Sequence, residues 1–240
     1  MSEILSARVF DRRVFALAAT LFPLLVLAGF ARTYYFSGLF DAPPVPSAIV
    51  HVHGLLMTAW VGLFVSQVWL VSSKRVWLHR RLGLAGGGLG ILIVLTGVVT
   101  ALRAAKFGST STPPGVPPLA FLIVPTSDLV IFVALFGAAL YYRRQPAIHK
   151  RLMLLTAINF LPPAIARIPI PALQALGPLW FFGLPTVLVL SWLVLDTRRH
   201  GLNKIALAGT LLLLASYPLR LVILGSETWV RIATWLTSFV

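Results

Sequence analysis

The stretch 49–72, IVHVHGLLMTAWVGLFVSQVWLVS, runs for 24 residues without an Asp, Glu, Lys or Arg. A helix rises about 1.5 Å per residue, so a run of this length crosses the roughly 30 Å hydrocarbon core of a bilayer. Six other apolar runs accompany it, and together they place spans at about residues 14–34, 49–72, 82–102, 119–142, 152–167, 173–195 and 205–224. The expected fold is all-α: an integral membrane helical bundle of about seven transmembrane helices, forming a single transmembrane domain over residues 1–240. The first run is too long for a signal-peptide core and reads as an uncleaved span. Hydrophobic residues make up 58% of the chain and charged residues 11%, which excludes an ordinary soluble domain and makes the lipid bilayer its solvent.

The net charge of +14 invites a nucleic-acid reading, but the basic residues lie in short clusters between the apolar runs rather than in one patch. Lys and Arg accumulate in cytoplasmic loops, so the clusters report topology, and nucleic acid is not an expected partner. Fourteen of the twenty lie at Arg8–Arg13, Lys74–Arg81, Arg143–Arg151 and Arg198–Lys204, between alternate spans. That alternation puts the N-terminus in the cytoplasm. The opposite connections, DAPPVPS and GSTSTPPGVPP, are proline-rich and read as short outer loops. The last residues, ETWVRIATWLTSFV, are too few to cross; with Trp229 and Trp235 they suit an interfacial helix on the outside. Tyr34, Tyr35, Trp60, Trp69, Trp77 and Trp180 read as aromatic belts at span ends.

The chain has no cysteine, so a metal or haem must be held by His, Met, carboxylate or carbonyl ligands. His51 and His53 are about 200° apart on a helix, so one of them, His53, is the expected ligand, with Met57 one turn further along the same face. The same spacing recurs at His149 and Met153, and His–Met pairs bind haem iron or copper. His79 and His149 both begin spans at the cytoplasmic side. Either they are solvated members of basic clusters or they ligate one haem together.

Asp128 is the one acid inside the spans as drawn, about 15 Å deep, where an ionisable group faces a partner or a wet cavity. An ion pair with Arg32, Arg103 or Arg167 is one reading; an ion site is the other. Pro162 and Pro163 interrupt the fifth span beside Asn159 and remove backbone donors there. Asp128, Asn159 and Arg167, with His53, then form a candidate pocket in the outer half, which Tyr217 and Arg220 near the outer end of the seventh span could join. In span three, Gly83 precedes Gly87 by four residues and Gly86 precedes Gly90 by four, a spacing that permits close helix contact within the bundle or with a membrane-protein partner or second copy.

The segments HVHGLLMTAW, HRRLG, PTSDLV, HKRLM and LPPAIARIP resemble a group of uncharacterised bacterial polytopic membrane proteins of similar length. The likeness implies a multi-pass protein of the bacterial inner membrane and brings no activity with it. More loosely, a His at one span start followed by HR-x-x-G at the next resembles DUF2306-type membrane proteins and, more faintly, cytochrome b561-like haem proteins. That last family needs paired in-helix histidines on each side; the outer side here offers only His51 and His53. A microbial rhodopsin is excluded, because 205–224 contains no lysine.

Three functions follow: a redox membrane protein holding haem b or copper through His53, with or without Met57, or through His79 and His149; an ion-coupled transporter centred on Asp128; or a non-catalytic membrane subunit docking through the glycine face. No nucleophile–base pair, phosphate loop or HxxxH cluster marks an enzyme, so the sequence leaves enzyme status open.

Overall fold

Away from water a backbone satisfies its own polar groups most simply as a helix, and the computed structural model, which describes residues 2–40, 47–109 and 112–240, is an all-α bundle. Most of the DAPPVPS connection and part of GSTSTPPGVPP lie outside the described residues. In chain order the helices are α1 Ser2–Phe30, continued by a π-helical turn Ala31–Tyr35; α2 Ala48–Ser72; α3 Val76–Phe107; α4 Pro118–Phe121; α5 Ile123–Tyr141; α6 Pro146–Asn159; α7 Leu161–Ala166; α8 Pro171–Gln174; α9 Pro178–Phe181; α10 Gly183–His200; α11 Lys204–Leu224; and α12 Glu227–Thr237. Six segments are long and apolar enough to cross a membrane: Val9–Tyr35, Ala48–Ser72, Val76–Phe107, Pro118–Arg144, Pro178–His200 and Lys204–Leu224.

The fifth of the seven expected spans is the exception, because it is made of two helices. α6 stops at Asn159, Phe160 makes a turn, and α7 restarts with Pro162 and Pro163 in its first turn, where their missing N–H groups cost nothing. The pair still traverses the bundle. Lys150 near its start pairs with Asp11 in the second turn or so of α1, while Ala164 and Arg167 near its end touch Gly29 and Phe30 at the other end of α1. The sixth span also begins later than expected: residues 171–181 form two short helices, and the crossing helix reaches His200 rather than stopping at 195.

α6 is the axis of the bundle, packed against α1, α5, α10 and α11. Its residues from Arg151 to Leu161 are buried with the single exception of Met153. Such close packing needs small residues on the neighbours: a Cβ on Gly209 of α11 would meet Leu155 at 2.9 Å, and one on Gly29 would meet the Ala164 carbonyl oxygen at 2.1 Å. Beside α6 lies an aromatic core. Phe132 of α5 stacks on Phe136, both take the edge of Trp60, and Phe160 at the helix break covers Phe132. Trp60, 2% exposed, is therefore a core residue and not part of an interfacial belt. It sits mid-way along α2, where the only neighbours within reach are apolar helices.

The glycines of α3 divide between two faces. Gly86 and Gly90 point inward, where a Cβ would collide with Leu63 and Phe136, while a Cβ on Gly83 would meet only Gln67 Nε2, at 4.0 Å, and Gly87 faces open space. A docking surface through all four is thus ruled out, since Gly86 and Gly90 are already used within the bundle. α12 is strongly amphipathic: Ala233 is buried against α3 and α4, the Trp229 indole donates to the Ala120 carbonyl at 3.1 Å, and Ile232 and Trp235 are exposed. This matches the interfacial helix expected from the sequence.

Candidate functional site

The four basic clusters meet at one end of the bundle, hereafter the basic end. Three successive residues of α6 organise it. Neighbouring residues on a helix point about 100° apart, so His149, Lys150 and Arg151 reach in three directions. His149 lies against His79 of α3 with ring centres 6.3 Å apart. Lys150 pairs with Asp11 of α1 at 2.5 Å. Arg151 pairs with Asp196 of α10 at 2.7 Å, both side chains 5% exposed. Arg151, read from the sequence as part of a cytoplasmic basic cluster, is buried. Asp196 lay one residue beyond the span drawn from the sequence; the longer α10 makes it a second intramembrane-facing acid.

The ring states at this end follow from hydrogen bonding. His149 Nδ1 lies 2.8 Å from the Ala139 carbonyl, which can only accept, so Nδ1 carries the proton and the neutral ring leaves a lone pair on Nε2. A ring nitrogen fixed by a backbone carbonyl is the usual support of a metal-binding histidine. His79 Nδ1 is buried and has no hydrogen-bond partner among the described residues. The structure thus brings His79 and His149 together. Nearby, ligand atoms of Asp11, Asp196 and His200 fall within 4.8 Å of one another. Here, however, Lys150 and His200 already hold Asp11, and Arg151 holds Asp196, so the group is an ionic clasp joining α1, α6 and α10.

His53 occupies a different junction, between α2, α3 and α5. Thr96 donates its one proton to the Leu92 carbonyl at 2.8 Å and therefore accepts from His53 Nδ1 at 3.0 Å. This also leaves His53 Nε2 with a lone pair. Gly97 makes room for the ring: a Cβ there would lie 3.2 Å from His53 Cε1 and 2.9 Å from Leu129. Met57 packs into the apolar core, as does Met153. His51 sits apart, against the Tyr34 ring, with its carbonyl accepting from the Tyr34 hydroxyl at 3.2 Å.

Asp128 lies in the opposite half, 6% exposed, and its partner is none of the three arginines expected. Arg220 of α11, 1% exposed, donates from Nη1 to Asp128 Oδ1 at 2.5 Å. Arg220 also donates from Nη2 to Ser216 at 3.2 Å and rests on the Phe182 and Tyr217 rings, 5.6 and 5.5 Å from their centres. Asn159, the last residue of α6, donates to the Asp128 carbonyl at 2.9 Å. Asp128 and Asn159 are therefore in contact. Arg167 does not join them: it donates to the Pro163 carbonyl at 2.6 Å and covers Phe30, closing the end of its own helix against α1. Around the ion pair, Arg220 Nε, Tyr217 Oη and Asn159 Oδ1 are buried without hydrogen-bond partners among the described residues.

A helical bundle with six long apolar helices, a broken passage through its centre and, among the described residues, charged side chains at its ends and in one buried pair in the half opposite the basic end defines a multi-pass membrane protein. Comparisons with protein-family profiles, with curated proteins and with solved structures find no match, so no relative lends this chain an activity.

Proposed function

We propose that the chain is a metal- or haem-binding redox membrane protein whose ligand site is the His79–His149 pair. The distance between the two rings carries this reading. With ring centres 6.3 Å apart, one nitrogen of each ring could reach a shared ion at an ordinary metal–imidazole distance, so His79 and His149 would hold haem iron or copper, which would supply the redox chemistry. The Nε2 lone pair left on His149 by its bond to the Ala139 carbonyl supports it. Purified protein should show a Soret band that shifts on reduction with dithionite, or stoichiometric copper, and His79→Ala or His149→Ala should abolish it. A colourless, metal-free and folded wild type that takes up neither haem b nor copper removes the reading.

A second reading, an ion-coupled carrier, is favoured by the buried Asp128–Arg220 pair beside the α6–α7 break. Broken helices at membrane depth commonly border ion sites. It requires ion flux into proteoliposomes that Asp128→Asn abolishes; flux unchanged by that substitution removes it.

A further inference from the structure

A buried ion pair that serves stability alone has its remaining protons and lone pairs satisfied by neighbours. The Asp128–Arg220 pair departs from that in three ways. Contact is through one nitrogen and one oxygen, where guanidinium and carboxylate can form two parallel bonds. Among the described residues Arg220 Nε has no acceptor, and the Tyr217 hydroxyl and the Asn159 side-chain oxygen are also unpartnered. The guanidinium has supports that do not depend on Asp128, namely Ser216 and the faces of Phe182 and Tyr217. Arg220 thus remains held if the carboxylate lets go, and it keeps unused donors.

Charge balance then decides what the site accepts. A proton alone on Asp128 leaves a net positive charge inside the bundle, and an anion alone on Arg220 leaves a net negative one. Both states are disfavoured at low dielectric. A proton and a monovalent anion arriving together leave the centre neutral, as it is now. We propose that Asp128 and Arg220 form a binding site for a small monovalent anion taken up together with one proton. The proton comes from solvent and forms an O–H bond on the Asp128 carboxylate. The anion then accepts from Arg220 Nε–H and the neighbouring Nη2–H, the two donors on one edge of the guanidinium, and from the Tyr217 hydroxyl, while the neutralised carboxyl releases Nη1. Planar anions such as formate or nitrate match the fork of the guanidinium. The helix break lies alongside, since Asn159 ends α6 and donates to the Asp128 backbone.

Among the described residues, α11 sets Arg220 and Tyr217 against Asp128, α6 sets the uncharged Asn159, and α3 and α2 bring Gly97 and His53 to the adjoining Leu129. His53 is thus the one other titratable group near this stretch of α5. The inference uses the same centre as the carrier reading, but binding is measured in detergent, apart from transport. Absent flux with intact binding removes the carrier reading only; absent binding removes the inference.

The test is calorimetric titration of purified protein with sodium formate and sodium nitrate, with proton uptake followed in weakly buffered solution across a pH series. The expected result is one proton taken up per anion and affinity falling tenfold per pH unit where Asp128 is ionised, because only the protonated fraction binds. Asp128→Asn should bind without proton uptake and without pH dependence, and Arg220→Gln should not bind. Should either fail to fold, Tyr217→Phe preserves the ion pair and should weaken binding several-fold, while His53→Gln should leave the proton count unchanged. The inference is overturned by a folded wild type that binds neither anion, by binding without proton uptake, by binding that survives Arg220→Gln, or by a proton count that follows His53.

Discussion

Asp196→Asn is the perturbation that most directly tests the role of α6. Arg151 is 4% exposed and its charge has one carboxylate, Asp196, at 2.7 Å; its other acceptor is the Ala147 carbonyl of its own helix. Removing one partner of a buried pair costs about 3–5 kcal/mol, because the other charge stays buried and uncompensated. That is a large share of the roughly 5–15 kcal/mol that holds a folded chain. Replacing both partners, Arg151→Met with Asp196→Leu, removes both charges while keeping volume, a change that is often neutral or stabilising. The hydrogen bond to Ala147 is also lost, at about 1 kcal/mol. The double variant should therefore lie within about 2 kcal/mol of wild type and well above either single one. Unfolding of wild type, Arg151→Met, Asp196→Leu and the double variant in mixed detergent and SDS micelles, followed by tryptophan fluorescence, gives the full cycle. A coupling energy below about 1 kcal/mol would show that water reaches the pair, and the reasoning from burial would be wrong.

Gly29→Ala should be among the most damaging small substitutions, since its Cβ would stand 2.1 Å from a backbone oxygen of Ala164 and the helices must separate by about 1 Å. We expect a loss of 1–3 kcal/mol or more that Ala164→Gly does not rescue, while Gly87→Ala, with nothing within 4 Å, leaves stability unchanged or slightly raised in the same unfolding assay. Thr96→Val removes the acceptor of His53 Nδ1 and should cost about 1–2 kcal/mol, with a changed tautomer ratio in nitrogen-15 spectra of the ring. An unchanged ratio would mean that Thr96 does not set the state of His53.

The bundle itself was legible because crossing a bilayer demands long apolar runs, and the basic clusters mark which ends lie together. Asn159 and the broken passage were readable from adjacent prolines. Pairings were not. Asp128 meets Arg220, 92 positions away, and nothing in spacing along the chain separates that arginine from Arg32, Arg103 or Arg167; the choice rests on α5 lying beside α11. Arg151 was taken for a loop cation since it ends an HKR cluster, and its burial depends on α10 running past 195 to present Asp196. Histidine spacing gave good candidates but poor pairs: His53 with Met57 is a helical repeat, whereas His79 with His149 is a contact between different helices.

The order of synthesis gives the clasp at the basic end a further consequence. As α6 leaves the ribosome, Asp11 has already been made, so Lys150 finds its partner at once. Arg151 does not, because Asp196 is 45 residues downstream and lies near the end of α10. Until α10 enters the membrane, this passage carries an unpaired cation and two prolines, each of which weakens its hold across the bilayer. Insertion of the central helix is therefore completed by a later one, and chains stopped between α6 and α10 should be recognised by the cell as unfinished.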